Sequence, residues 1–198
     1  MQTHSLTPAT HQIIVLDFDC TITRTHTGGC ARSPIFRANN FIHSNIKPGF
    51  QQFVTLAMDQ GLRLYIATYG DDNFANGDNE VAGHRLVKLY MDTLFGENQQ
   101  LFNLPSRLPI KAPHDYNNII ASYSNDGKKT HLEAICLQES LTLTNKPALQ
   151  KLLLVDDDPV NVEYFSSKGC SSLDRDPILA AEKARDDALF LNIFNHIN

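Results

Sequence analysis

The chain has 198 residues, 42% hydrophobic and 20% charged, with a formal net charge of −5. That is the profile of an ordinary globular protein with one well-buried core, too short for two independent domains. Lys and Arg form no dense basic block and no apolar run nears the roughly 20 residues that span a bilayer, which argues against nucleic-acid and membrane partners.

The opening MQTHSLTPATHQ is polar and lacks the apolar stretch of a signal peptide. Cys20, Cys30, Cys136 and Cys170 are scattered, without the close pairs of a zinc site. Both features lead us to expect reduced thiols and a cytoplasmic location.

Ile13, Ile14, Val15 and Leu16 make the first unbroken apolar run, short and β-branched, as in a strand buried on both faces. The polar stretch from Arg24 to Arg32, with Gly28 and Gly29, reads as a loop. Ser33 and Pro34 predict the start of a short helix reaching about Ile46. After Pro48, the spacing of Phe50, Phe53, Val54 and Met58 predicts a helix that Gly61 ends.

Leu62–Thr68 reads as a second buried strand, stopped by Tyr69 and Gly70. Helical spacing returns from Asn79 to about Phe95 through Val81, Leu86, Leu89, Tyr90 and Leu94. The region 99–125 is broken by Pro105, Pro109 and Pro113, with a short strand in Asn118–Tyr123. A helix over Lys128–Gln138 leads to a third buried strand, Leu152–Val155, then a helix over Pro159–Ser167. A last helix, from about Pro177 to Phe194, turns Ala180, Ala184, Ala188, Leu191 and Phe194 to the core.

Strands alternating with helices predict a Rossmann-like α/β sandwich of three layers around a mainly parallel sheet. Ligands in such folds bind beyond the carboxyl ends of the strands. Asp17, Thr68 and Asp156 each sit at or just past a predicted strand end, so all three should meet at one edge.

Four stretches carry residues suited to chemistry. DFDCTIT places Asp17 and Asp19 two apart, on the same side if the chain stays extended. Carboxylates so crowded need a cation or a shared proton. IATYG sets Thr68 between a buried strand and a Gly turn, where a hydroxyl and backbone N–H groups hold phosphate oxygens. NDGKKTHLE offers Lys128 and Lys129 near a helix start. In LLLVDDDPVNVE, Asp158 suits the cap of the Pro159 helix, while Asp156 and Asp157 suit a hard cation.

Other patterns fail on single residues. Ser122 replaces the first glycine of a phosphate-binding loop, and Gly83 replaces the closing Glu of a calcium loop. Receiver domains place their acidic pair before the phosphorylated Asp, the reverse of this order. His26, His84 and His114 show no metal-ligand spacing, and His131 reads as a structural residue.

In order, DxDxT, Thr, Lys and strand-DD resemble the four motifs of the haloacid dehalogenase superfamily, across Ile13 to about Tyr164. Asp156-Asp157…Asn161 and Lys128…His131-Leu132 look like its small magnesium-dependent phosphatases, and DDDP is loosely similar to the DDSP of phosphoprotein phosphatases. The resemblance implies Asp17 as nucleophile, Asp19 as acid and base, Thr68 as holder of the phosphoryl group and Lys128 as charge neutraliser. It also implies Mg²⁺ held by Asp17, the backbone carbonyl of Asp19, and Asp156, with Asp157 one layer out.

One domain with small cap insertions at 24–46 and 71–125 would leave the site open. The substrate is then a phosphoprotein or a small phosphomonoester. A non-catalytic binding module on the same scaffold is the rival reading, and dimerisation is one way to supply a missing lid.

Overall fold

The computed structural model describes residues 12–77, 80–96, 118–123, 126–173 and 189–197. In chain order its strands are β1 (Ile13–Asp17), β2 (Cys30–Ala31), β3 (Arg63–Thr68), β4 (Val81–Ala82), β5 (Ile119–Ala121), β6 (Leu152–Val155) and β7 (Ser171–Leu173). Its helices are α1 (Asn39–Asn45), α2 (Phe50–Asp59), α3 (Gly83–Phe95), α4 (Lys129–Glu139), α5 (Lys146–Leu149), α6 (Pro159–Lys168) and α7 (Leu189–Ile197).

The apolar runs form a parallel sheet in the order β5-β3-β1-β6-β7. Side chains alternate across a strand, and here both faces are covered. Ile14 and Leu16, with Leu64, Ile66, Leu153 and Val155, pack on one side against buried residues of α1, α2, α3 and α7. Ile13 and Val15, with Tyr65, Ala67, Leu152 and Leu154, pack on the other against α4, α5 and α6. The result is the expected three-layer, Rossmann-like α/β sandwich.

Helix ends follow local chemistry. Asp158 caps α6 by accepting the Val160 N–H at 2.9 Å, and Gly169 ends it at φ +95°. Gly49 enters α2 at φ +81°, a left-handed conformation that favours glycine.

Several expectations need correction. The helix expected from Ser33 to Ile46 is two pieces, because Ser33 caps only a 3₁₀ turn at Pro34–Arg37 and Ala38 is extended. Val81 and Ala82 do not begin the next helix. They pair antiparallel with Cys30 and Ala31, making a second, two-stranded sheet that joins the segments leaving β1 and β3. The Gly83 N–H donates to the Gly29 carbonyl at 3.0 Å beside that pair. A Cβ on Gly83 would come within 2.5 Å of the Asp72 backbone nitrogen, so this junction requires glycine.

On α7, Leu191 faces solvent, and Leu189, Phe190, Ile193 and Ile197 are the buried residues instead. Ala180, Ala184, Ala188, the Pro177 start, Asn79 and the proline-broken stretch 99–117 lie outside the described residues. Among the described residues no helix is long and apolar enough to cross a membrane.

Candidate active site

Register brings the acidic residues together. Leu16 pairs with Val155, so the next residues, Asp17 and Asp156, leave the sheet side by side. Asp17 pairs with Ala67, which puts Thr68 one step beyond on the opposite flank. By strand alternation Asp17 and Asp156 share the face of Val15 and Leu154, toward α4. Lys128, at the amino end of α4, enters between them.

The Lys128 ammonium donates to Asp17 Oδ1 in a short contact and to Asp156 Oδ2 at 2.7 Å. All three residues are buried. Burial alone would lower the Lys128 pKa, but the flanking carboxylates hold it above its ordinary value. Asp17 is driven upward, chiefly by burial and also by Asp156, against the pull of Lys128.

Asn161, in the first turn of α6, ties this cluster from behind. Its Nδ2 donates to both Asp156 oxygens, at 3.3 and 3.2 Å, and its Oδ1 accepts the Lys128 N–H at 3.1 Å. Gly127 has φ +59°, and a Cβ there would lie 2.8 Å from Asn161 Oδ1. Asp156 Oδ1 also accepts the Asp158 N–H at 2.8 Å.

Asp157 brings a third carboxylate. Ligand-type oxygens of Asp17, Asp156 and Asp157 lie within 4.8 Å of one another. Burial and the neighbouring Asp156 raise the Asp157 pKa as well. Three crowded oxygen donors form a set suited to a hard divalent cation.

Asp19 does not follow the extended path expected of it. The chain turns at Phe18, whose carbonyl accepts the N–H groups of Ile22 and Thr23, and Cys20 sits at φ +61°. The Asp19 carboxylate therefore points to the next loop, where it accepts the Thr27 N–H at 2.9 Å and the Thr27 hydroxyl at 3.1 Å. His26 Nδ1 lies 3.3 Å from it. Asp17 and Asp19 still line one open cavity of about 690 Å³, with Thr68, Lys128 and Asp156.

Thr68 is held through its backbone. Its carbonyl accepts the Ser122 N–H at 3.2 Å and lies 2.8 Å from His131 Nε2. His131 is fully buried, and burial pushes its pKa down to about 4, so the ring is neutral and donates from Nε2. That matches the structural reading of His131. Lys129, by contrast, is exposed and lies 3.7 Å from Asp126.

Sequence reasoning gave no role to three contributors, Asn161 being noted only within the Asp156-Asp157…Asn161 pattern and His26 being set aside. Asn161 carries a readable signal, its place five residues after Asp156. His26 has only its closeness to Asp19 in sequence. Lys47 has none: buried, 27 residues from Cys20, it donates from Nζ to the Cys20 carbonyl and braces the turn after Asp19. The Cys20 thiol is pushed up to about 11, mainly by burial, which removes it as a nucleophile near neutral pH.

No family model matches the chain, and no curated protein matches it. Among solved structures it is similar to the N-terminal part of the protein BF1531 from Bacteroides fragilis, which contains a phosphatase domain and is complexed with Mg. That match has 14% identity and a TM-score of 0.50, covering 96% of this chain and 41% of the other. DsGPDH of Dunaliella salina matches at 11% identity and a TM-score of 0.48, over 82% of this chain and 23% of its own. The chain spans less than half the length of either neighbour. At 14% identity the first likeness is one of fold, in agreement with the Rossmann-like sheet.

Proposed function

We propose that this chain is a Mg²⁺-dependent phosphatase that cleaves a phosphomonoester through an aspartyl-phosphate on Asp17. In this reading the chain is a single domain, and the excursions 24–46 and 71–125 act as a small lid. The observation that carries it is the buried Lys128 bridging Asp17 and Asp156 at the carboxyl edge of the sheet. That pairing prepares a positive charge where a phosphoryl group must gather negative charge.

The crowded trio of Asp17, Asp156 and Asp157 fits a divalent cation, because a cation offsets the burial and, after it, the Asp156 repulsion that drive Asp17 upward. Asp17, Asp156 and the Asp19 backbone carbonyl would hold it, with Asp157 behind them. Bound there, Mg²⁺ supplies further charge neutralisation for the phosphoryl oxygens.

The chain's own residues do the rest. An Asp17 oxygen attacks phosphorus as the bond to the leaving oxygen breaks, and Asp19 passes its proton to that oxygen. Asp19 then takes a proton from water, whose oxygen attacks the phosphoryl group and releases phosphate and free Asp17. Thr68 orients the phosphoryl oxygens throughout. The open cavity admits a phosphoprotein or a small phosphomonoester.

An aryl phosphate assay tests the reading. Turnover is expected with Mg²⁺, should vanish in chelator and should return when Mg²⁺ is restored. Acid-quenched enzyme should carry phosphate on Asp17. Undiminished turnover after rigorous chelation, or phosphate on Ser, Thr or His, would sink the mechanism. Binding without turnover would make the chain a non-catalytic module.

A further inference from the structure

Beside the charged cluster the cavity changes character. Tyr69 directly follows Thr68, lines the same cavity as Asp17 and is 44% exposed. Tyr123 follows the neighbouring strand β5 and is 54% exposed. Thr68 pairs with Ala121, so both tyrosines leave the sheet at the edge that carries the carboxylates. Their ring centroids are 4.9 Å apart, tilted by 49°. Phe74, from the 3₁₀ turn Asp72–Phe74, meets Tyr123 edge-on at 5.3 Å and 78°.

Tyr69 lines the cavity, and Tyr123 and then Phe74 continue from it outside the lining, so three rings from three segments form one wall. Because they touch one another, no gap remains between them for a cationic headgroup, which an aromatic cage would need. What the wall offers is a face. Exposed aromatic area against a polar cavity is the usual form of an orienting surface in a small-molecule site.

Charge narrows the occupant further. The cavity lining carries the carboxylates of Asp17, Asp19, Asp156, Asp157 and Asp158, against the cationic Lys128 and the imidazole of His26. A leaving group with anionic charge of its own would be repelled there.

We propose that the phosphomonoester cleaved here carries a planar aromatic ring without negative charge on its leaving group, and that the ring stacks on Tyr69, backed by Tyr123 and Phe74. The inference rests on the phosphatase reading and specifies its substrate class. The Thr68–Tyr69 junction then divides the work, Thr68 holding the phosphoryl group and Tyr69 the ring.

The test compares benzyl phosphate with cyclohexylmethyl phosphate, both primary alkyl esters of similar size, on the Mg²⁺-supplied protein. Stacking should favour the aromatic ester on the order of tenfold in kcat/KM, mainly through KM. Tyr69→Leu and Tyr123→Leu keep apolar area but remove the ring, and each should bring the ratio toward one. The Tyr123 variant stands apart from Thr68, so it keeps the test sound if Tyr69→Leu disturbs the fold. Phenyl phosphate and a nucleoside monophosphate place the ring next to the ester oxygen or beyond a sugar. Whichever loses more in the variants identifies the source.

A wild-type ratio near one with both esters cleaved overturns the inference and leaves the phosphatase reading standing. So does a ratio unchanged in both variants. No cleavage of any ester overturns both.

Discussion

The two halves of the candidate site are built differently. Asp17, Lys128, Asp156 and Asn161 form a closed network in which every member is buried and holds at least one other. Asp19 is anchored instead to Thr27 on a loop, and Tyr69 and Tyr123 beyond it are exposed. The buried half has its charges fixed by folding, so on the proposed reading they need no reorganisation for a phosphoryl group. The open half takes its shape from loops and exposed rings, which suits the part of a substrate that varies.

This contrast predicts a steep gradient of mutational effect. Lys128→Ala leaves two buried carboxylates facing each other, so activity on an aryl phosphate should fall by on the order of 10²–10³. Thermal stability should also drop, since removing one partner of a buried ion pair costs roughly 3–5 kcal/mol. Steady-state rates and a melting curve check both. Normal turnover in this variant would break the comparison.

Asn161→Ala should cost about 10–100-fold, because it frees Asp156 and the Lys128 backbone without removing a charge. Titrating Mg²⁺ in this variant should show weakened metal affinity. An effect as large as that of Lys128→Ala would mean that Asn161 touches substrate itself.

Across the divide, Asp19→Asn should be selective. An aryl phosphate leaves without a proton, whereas an alkyl phosphate does not, so alkyl ester cleavage should suffer more. Hydrolysis of the phosphoenzyme should slow too, and a trapped species on Asp17 would be visible by mass spectrometry. Equal losses on both esters would remove Asp19 from proton transfer.

His131 sharpens the contrast through pH. Its folded pKa of about 4 lies below the ordinary 6.5, so between these values the unfolded chain takes up a proton that the folded one refuses. Stability is full above about pH 6.5 and declines as pH falls toward 4, by up to about 3 kcal/mol at the low end. Denaturation of the wild type and His131→Gln across this window should show that slope only in the former.

The smallest effect belongs to Lys129→Ala. An exposed pair such as Lys129–Asp126 contributes little, so rate and stability should stay near wild type.

Much of this was legible in the sequence, for identifiable reasons. Ile13–Leu16 and Leu152–Val155 are too apolar and too β-branched or short to be other than buried strands, and a carboxylate that ends such a strand has one exit. Asp17, Thr68 and Asp156 were therefore placed by the strands that carry them. Lys128 was legible through its helix start, although only the register of β1 on β6 explains why it meets two carboxylates.

What escaped is equally physical. The turn of Asp19 away from Asp17 is made by bonds of Ile22 and Thr23 to the Phe18 carbonyl and braced by Lys47, far along the chain, and no periodicity marks it. The pairing of Cys30–Ala31 with Val81–Ala82 involves two residues on each side, below any periodicity signal. Leu191 fits an inward stripe counted from Ala180, but the observed stripe of Phe190, Ile193, Phe194 and Ile197 is set by the rings of Phe50 and Phe53 that Phe190 meets.

The central position of β1 has a kinetic consequence. Its partners β3 and β6 begin 50 and 139 residues later, at Arg63 and Leu152 opposite Ile13. The central strand is thus flanked on both sides only once β6 has formed, and these pairings are contacts of long sequence separation. Such pairings demand loop closure before they return any stabilisation, which makes folding slow. During synthesis the apolar run before Asp17 must wait, half covered, until residue 155 has emerged. Asp17 and Asp156 meet when β6 docks on β1, so the charge network forms before β7 completes the sheet, and no amino-terminal fragment that ends before Asn161 contains it.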